Sequence, residues 1–308
     1  MAKVILFGEH SVVYGHPAVA VPLHNLHMTA TVERSATPTD PSTLNCLDWH
    51  GSLDAAPAQL ASVVEAVEVA TDFAGHPDTG LHVTTQADFP PERGLGSSAA
   101  AAGAVIRAVL DAYGVPASPQ QLFDLTQEAE RIAHGHPSGL DALTTASPAP
   151  VYFRDGAGTA LDMNLTAWIV IADSGQQGST RETVGDVRRR YERAPESTGA
   201  LLDRLGAIAD GAVHDLRTDD AAALGQKMDD AQQLLADLGI SSPRLDALTA
   251  AARDAGAFGA KLTGGGRGGC VIALARTRED ADRIAAALTG AGASGTWIHA
   301  PHSEEVAS

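Results

Sequence analysis

The sequence predicts an α+β chain built in two parts, and three features carry that prediction. Short apolar runs of strand length, Val4-Ile5-Leu6-Phe7, Ala167-Trp168-Ile169-Val170-Ile171-Ala172 and Cys270-Val271-Ile272-Ala273-Leu274-Ala275, alternate with alanine-rich stretches at helical spacing. In the second part, strands joined by glycines and flanked by helices predict an antiparallel sheet with helices on one face. A chain of 308 residues, 44% of them hydrophobic, has core enough for two medium domains sharing a cleft or for one large domain. The boundary is expected near Leu165, which gives domains 1–165 and 166–308.

Taken in order, Val4 to Phe7 reads as a buried strand, and Gly8 to Gly15 as a turn followed by another extended piece. Alternating strand segments follow from Ala18 to Glu33, then a Thr- and Pro-containing stretch, Ser35 to Asp54, that reads as an exposed hairpin or loop. Leu60 to Phe73 has helical spacing, with Leu60, Val63, Val64, Val67 and Ala70 on one face. Leu81 to Phe89 is the next strand, and a helix runs from near Ser97 to Tyr113, where Gly114 stops it. Ser118-Pro119-Gln120-Gln121 has the residues of a capping box with proline in the first turn. The helix it opens should bury Leu122, Leu125, Ala129, Ile132 and Ala133, with Glu130 at the border of that stripe. His134 to Asp141 reads as a loop presenting an aspartate; its two histidines, His134 and His136, have no further ligand at zinc spacing, so no zinc site is expected. Arg154 to Asn164, with Gly156 and Gly158, reads as a crossing between domains, and Asp173 to Arg181 leads into a long helical region through Leu238. The remainder reads as helix Ser242 to Ala255, strand Gly259 to Leu262, a glycine loop, strand Cys270 to Ala275, helix Arg278 to Leu288 and strand Thr296 to Ala300.

Between the strand ending at Phe89 and the next helix lies Pro90-Pro91-Glu92-Arg93-Gly94-Leu95-Gly96-Ser97-Ser98-Ala99-Ala100, a phosphate cradle by its chemistry. The prolines stop the strand and the glycines leave the backbone bare for an anion. The serines are expected to cap a helix whose dipole favours negative charge. Gly94-x-Gly96-x-x-Ala99 formally fits a dinucleotide fingerprint, but four residues separate it from its strand and Gln120 lies near the acidic position. No Gly-Lys-Ser/Thr follows, so it is not an ordinary P-loop either.

A net charge of -17 argues against nucleic acid and against an anionic membrane surface as partners. The two cysteines, Cys46 and Cys270, point to a reducing cytoplasm rather than a disulfide scaffold. No run approaches a membrane span, and no signal peptide is expected, since Lys3 to Phe7 is followed directly by Gly8-Glu9-His10. Taken singly, Lys3 reads as a strand-end lysine and His10 as a turn histidine.

Together, Lys3 to Gly15, Pro90 to Ala102 and Lys261 to Val271 resemble, in order, the three motifs of the galactokinase, homoserine, mevalonate and phosphomevalonate (GHMP) kinase family. Lys3 to Gly15, His134 to Asp141 and Asp173 to Arg181 bring the resemblance nearest to the branch acting on mevalonate, and it covers nearly the whole chain. The resemblance implies a ribosomal-protein-like N-terminal fold, a ferredoxin-like C-terminal fold and transfer of the γ-phosphoryl of ATP to the primary hydroxyl of mevalonate. By the same resemblance Pro90 to Ala100 bind ATP, Ser98 and Glu130 carry Mg2+, and Gly264 to Gly269 close the phosphate end of the site. Asp141 is the catalytic aspartate with Lys3 beside it, and Glu9, His10 and Thr180 contact mevalonate. His136 and Ala142 stand where many relatives carry other residues. Some family members form homodimers and some are inhibited by isoprenoid diphosphates at the nucleotide site; the sequence decides neither for this chain. Three rival readings remain: a sister kinase for phosphomevalonate or another alcohol, a decarboxylase of the same family, and a non-catalytic binder of nucleotide or isoprenoid. A phosphomevalonate kinase would need a further basic cluster, and 173–181 offers only Arg181.

Overall fold

A computed structural model describes residues 1–37, 40–77, 80–135, 137–178 and 180–300. The first stretch of chain forms β1 (Ala2–Phe7), β2 (Ala18–Leu23), β3 (Met28–Arg34), β4 (Thr43–Cys46), β5 (Trp49–Ser52), α1 (Ala61–Ala74) and β6 (Leu81–Ala87). It continues with α2 (Ser97–Tyr113), α3 (Pro119–His134), α4 (Leu140–Ala146), β7 (Val151–Arg154) and β8 (Ala157–Ala160). Then come β9 (Trp168–Asp173), α5 (Thr180–Arg193), α6 (Pro195–Thr218), α7 (Ala221–Asp237) and α8 (Pro243–Asp254). The chain closes with β10 (Ala260–Thr263), β11 (Cys270–Ala275), α9 (Arg278–Gly290) and β12 (Gly295–His299).

Contacts divide the chain into two compact units. The first is Met1–Ala2, His24–Pro91 and Gly96–Ala146; the second is Lys3–Leu23, Glu92–Leu95 and everything from Ser147 onward.

In the first unit a sheet in the order β3-β6-β4-β5 packs against α2, on which α1 and α3 lie. The segment 43–52 is indeed a hairpin, and its first strand pairs parallel with β6, which ties it into the sheet. The core joins Leu44, Leu81 and Val83 of the strands to Val63, Val67, Val105, Ile106, Val109 and Leu125 of the helices. α2 spans the expected residues, its first turns buried all round from Ala99 to Ala104, and small side chains there let α1 and α3 approach closely. Ser118 and Gln121 form the reciprocal capping box of α3.

The second unit holds two sheets. One has the order β1-β2-β7-β8, and β2 is buried at every position rather than at alternate ones. The other is antiparallel throughout, in the order β10-β11-β9-β12, with α7, α8 and α9 packed against it. The crossing expected over 154–164 is instead a hairpin: β7 and β8 pair antiparallel about Asp155-Gly156, a dipeptide suited to a two-residue turn. The extended piece expected before Gly15 is a 3-10 turn, Ser11–Tyr14. The long helical region is three helices, broken where Pro195 starts α6 and where Asp219 turns left-handed at its end.

Candidate active site

In the first unit, two helix starts meet one carboxylate. Ser62 is the second residue of α1 and Ser98 the second of α2, while Glu130 lies in the last part of α3. The Ser98 hydroxyl donates to Glu130 Oε1 at 2.5 Å, and the Ser62 hydroxyl donates to the same oxygen at 2.8 Å. Glu130 is only 4% exposed, so it lies inside the helix face and not at its border. Ile132, expected in the stripe, is 56% exposed, because the face that α3 buries is centred on Leu125, Thr126, Ala129 and Glu130. The expected serine cap of α2 is absent. Gly96 occupies the capping position at φ 72°, no side chain caps the helix, and Ser98 directs its hydroxyl to Glu130.

That difference favours anion binding. An uncapped helix start presents backbone N–H groups with the positive end of the helix dipole behind them. Ser98 and Glu130 supply two adjacent hard oxygens, a fit for Mg2+, which takes few protein ligands and completes its octahedron with phosphate and water. Among the described residues no group of three or more His, Cys, Asp or Glu is assembled to hold a metal. Asp141 stands in the first turn of α4, half-buried, and not in a loop; His136 lies outside the described residues.

In the second unit the remaining motifs gather around β1. Lys3 is buried on that strand, its Nζ donating to the Gly94 carbonyl at 3.2 Å and its backbone N–H to the Leu95 carbonyl at 3.0 Å. Gly94 adopts φ 76°, and a Cβ there would fall 2.7 Å from the Thr263 carbonyl oxygen, so the two glycine loops touch backbone to backbone. Arg93 accepts the Cys270 N–H on its carbonyl at 3.1 Å, and its guanidinium Nε donates to Asp173 Oδ2 at 3.1 Å and lies 3.0 Å from Oδ1 in the same ion pair. Arg93, expected at the nucleotide, is therefore held by a carboxylate at the end of β9.

Glu9 and His10 follow β1 directly, both buried. Glu9 Oε1 pairs with Lys261 Nζ, both side chains fully buried, while Glu9 Oε2 has no hydrogen-bond partner. Burial pushes the Glu9 carboxyl up and the Lys261 ammonium down, each opposed by the charge of the other. His10 Nε2 lies 3.0 Å from the Gly265 carbonyl, which can only accept, so Nε2 carries the proton and donates. Nδ1 is then a buried acceptor with no partner. Burial lowers the His10 pKa to about 4, the Gly265 contact opposing and the Arg267 charge adding to the shift, so the ring is neutral at physiological pH. Thr180 begins α5 next to the same glycine: a Cβ on Gly265 would meet Thr180 Oγ1 at 2.5 Å. Ser179 lies outside the described residues.

Three partners escaped the sequence reading. Lys261 left a signal, a lysine flanked by apolar Ala260 and Leu262 in a strand. Asp173, at the end of an apolar strand, left a weaker one. Ser62 left none, because its partner is 68 residues away on another helix.

Similarity to known proteins runs the length of the chain. Residues 61–147 match the family described as GHMP kinases N terminal domain, and residues 212–294 match GHMP kinases C terminal. The mevalonate kinase of Pyrococcus horikoshii is 35% identical over 295 residues, covering 90% of this chain and 88% of its own. That of Methanothermobacter thermautotrophicus is 30% identical over 272 residues, 88% of each chain. Among solved structures, L. major mevalonate kinase in complex with R-mevalonate superposes with a TM-score of 0.84 at 26% identity, over 98% of this chain and 94% of that one. Mevalonate kinase from Staphylococcus aureus gives 0.74 at 29% identity, over 97% and 96%.

Proposed function

The chain belongs to the GHMP kinases, and from that premise we propose that it transfers the γ-phosphoryl of ATP to the 5-hydroxyl of mevalonate, giving 5-phosphomevalonate and ADP. The observation that carries the substrate is the 35% identity to a mevalonate kinase across nine-tenths of the chain.

The roles are those the family resemblance implies, and for all but Asp141 the immediate surroundings support them. The uncapped N–H groups of α2 and the bare backbone of Gly94 to Gly96 hold the phosphates. Ser98 and Glu130 would hold Mg2+, which supplies charge neutralisation across the phosphate oxygens when bound. Lys3, whose Nζ donates to the Gly94 carbonyl, stands beside the phosphate loop and offsets charge developing on the transferring group. Asp141 orients the alcohol and receives its proton as the new O–P bond forms and the bond to ADP breaks; with a loose transition state, orientation precedes proton removal. His10, neutral with a bare Nδ1, accepts a hydrogen bond from a substrate hydroxyl rather than pairing with the carboxylate. Glu9 is locked by Lys261 and offers its remaining oxygen, and Thr180 offers a hydroxyl next to Gly265.

No described helix is long and apolar enough to cross a membrane, and both cysteines are buried free thiols. Those thiols support the cytoplasm as its compartment. A homodimer and inhibition by isoprenoid diphosphates are further proposals that follow from family membership alone.

The decisive experiment is a coupled ADP-release assay with ATP and Mg2+, comparing mevalonate, phosphomevalonate, homoserine and galactose. Release with mevalonate alone is expected, falling by about 100-fold or more in Asp141→Asn while ATP still binds. Release with a different alcohol reassigns the substrate, and an Asp141→Asn enzyme of normal turnover removes that residue from the mechanism.

A further inference from the structure

We infer that Ser62 is a positioning residue for the cation site: its hydroxyl fixes the Glu130 carboxylate against the start of α2 and thereby sets the affinity for Mg2+ bound with nucleotide. The inference rests on the kinase reading above.

Ser62 does not belong to any of the three motifs. It lies at the start of α1, only 3% exposed, in a helix packed on both α2 and α3. Its hydroxyl donates to Glu130 Oε1, the same oxygen that accepts from Ser98. A glutamate reaches its carboxylate through three rotatable bonds, and each donor that reaches it from a separate helix narrows its swing. Two donors arriving from two different helices fix it. They are not equivalent. Ser98 is itself the other oxygen of the cation pair, so one hydroxyl would have to donate its proton to Glu130 and offer a lone pair to the cation at once. Ser62 has no such competing role, so it keeps the carboxylate in place through loading and release. Partners of this kind, one step behind the ligands, are worth about 10- to 100-fold in metal affinity.

The test needs no turnover. Mn2+ binding to the full chain is followed by electron paramagnetic resonance in the presence of a non-hydrolysable ATP analogue. Ser62→Ala is expected to weaken Mn2+ by about tenfold, while affinity for the analogue without metal stays unchanged. Ser62→Thr, which keeps the hydroxyl, restores Mn2+ binding; thermal melts confirm that both variants are folded. Wild-type Mn2+ affinity in Ser62→Ala overturns the inference and leaves the kinase reading standing. A loss that Ser62→Thr fails to restore also overturns it, since the hydroxyl is then not the cause. A wild-type chain that binds no Mn2+ with the analogue overturns the kinase reading, and this inference with it.

Discussion

His10 shows what one side chain can report. It sits at φ 61°, a conformation rare outside glycine and asparagine, and it is buried with one nitrogen satisfied and the other bare. Its proton balance has a definite sign. Folding lowers its pKa from 6.5 to about 4, so the unfolded chain takes up a proton first as pH falls. The stabilisation is fully present above pH 6.5 and is lost as pH falls towards 4. Its size is at most about 3–4 kcal/mol. His10→Gln, whose amide nitrogen reaches about as far as Nε2 and can still donate to Gly265, is expected to flatten this part of the acid limb in denaturant titrations between those pH values. Equal slopes in variant and wild type would show that His10 is charged or exposed in the folded protein.

At the scale of elements, close backbone approach governs what helix propensity alone would misjudge. Gly225 lies inside α7, where alanine is favoured by about 1 kcal/mol. A Cβ there would fall 2.2 Å from the Phe258 carbonyl oxygen, and one on Gly259 would fall 2.0 Å from the Gly225 carbonyl. The helix therefore lies directly on the chain entering β10, the strand that carries Lys261. Gly225→Ala is expected to lower stability by about 1–3 kcal/mol despite its better propensity. Gly185→Ala in α5, where the nearest atom belongs to the flexible Arg189 side chain, is expected to raise it. Paired thermal melts of the two variants check this, and a stabilised Gly225→Ala would contradict the close approach. The same approach positions β10 and so bears on the Glu9–Lys261 pair, whose members are 252 residues apart.

Over the whole molecule, acids outnumber bases by 38 to 21, so the folded chain works against its own charge. Raising monovalent salt from about 10 to about 200 mM shortens the Debye length from about 30 Å to under about 10 Å and screens that repulsion. A Tm that rises over this range is expected, and a flat or falling Tm would mean that the ion pairs, not the net charge, dominate. The elements were largely legible: α2, the capping box of Ser118 and Gln121, and β11 all lie where periodicity and end signals put them. Such signals are local, so a single strand or helix carries its own evidence. The motifs and their order were legible for the same reason, and with them the family. The misread segments, Asp155-Gly156 and Ser11–Tyr14, are short turns whose residues suit more than one conformation. What the sequence by itself determined is the order of elements, the phosphate loop and the identity of Ser98, Glu130, Asp141 and Lys3 as candidates. Only the tertiary structure decided that Ser62 reaches Glu130, that Lys261 neutralises Glu9, and that His10 is neutral with a bare acceptor. Those facts join residues 68, 252 and 255 positions apart, and such pairings depend on how helices and strands pack, which no local pattern encodes.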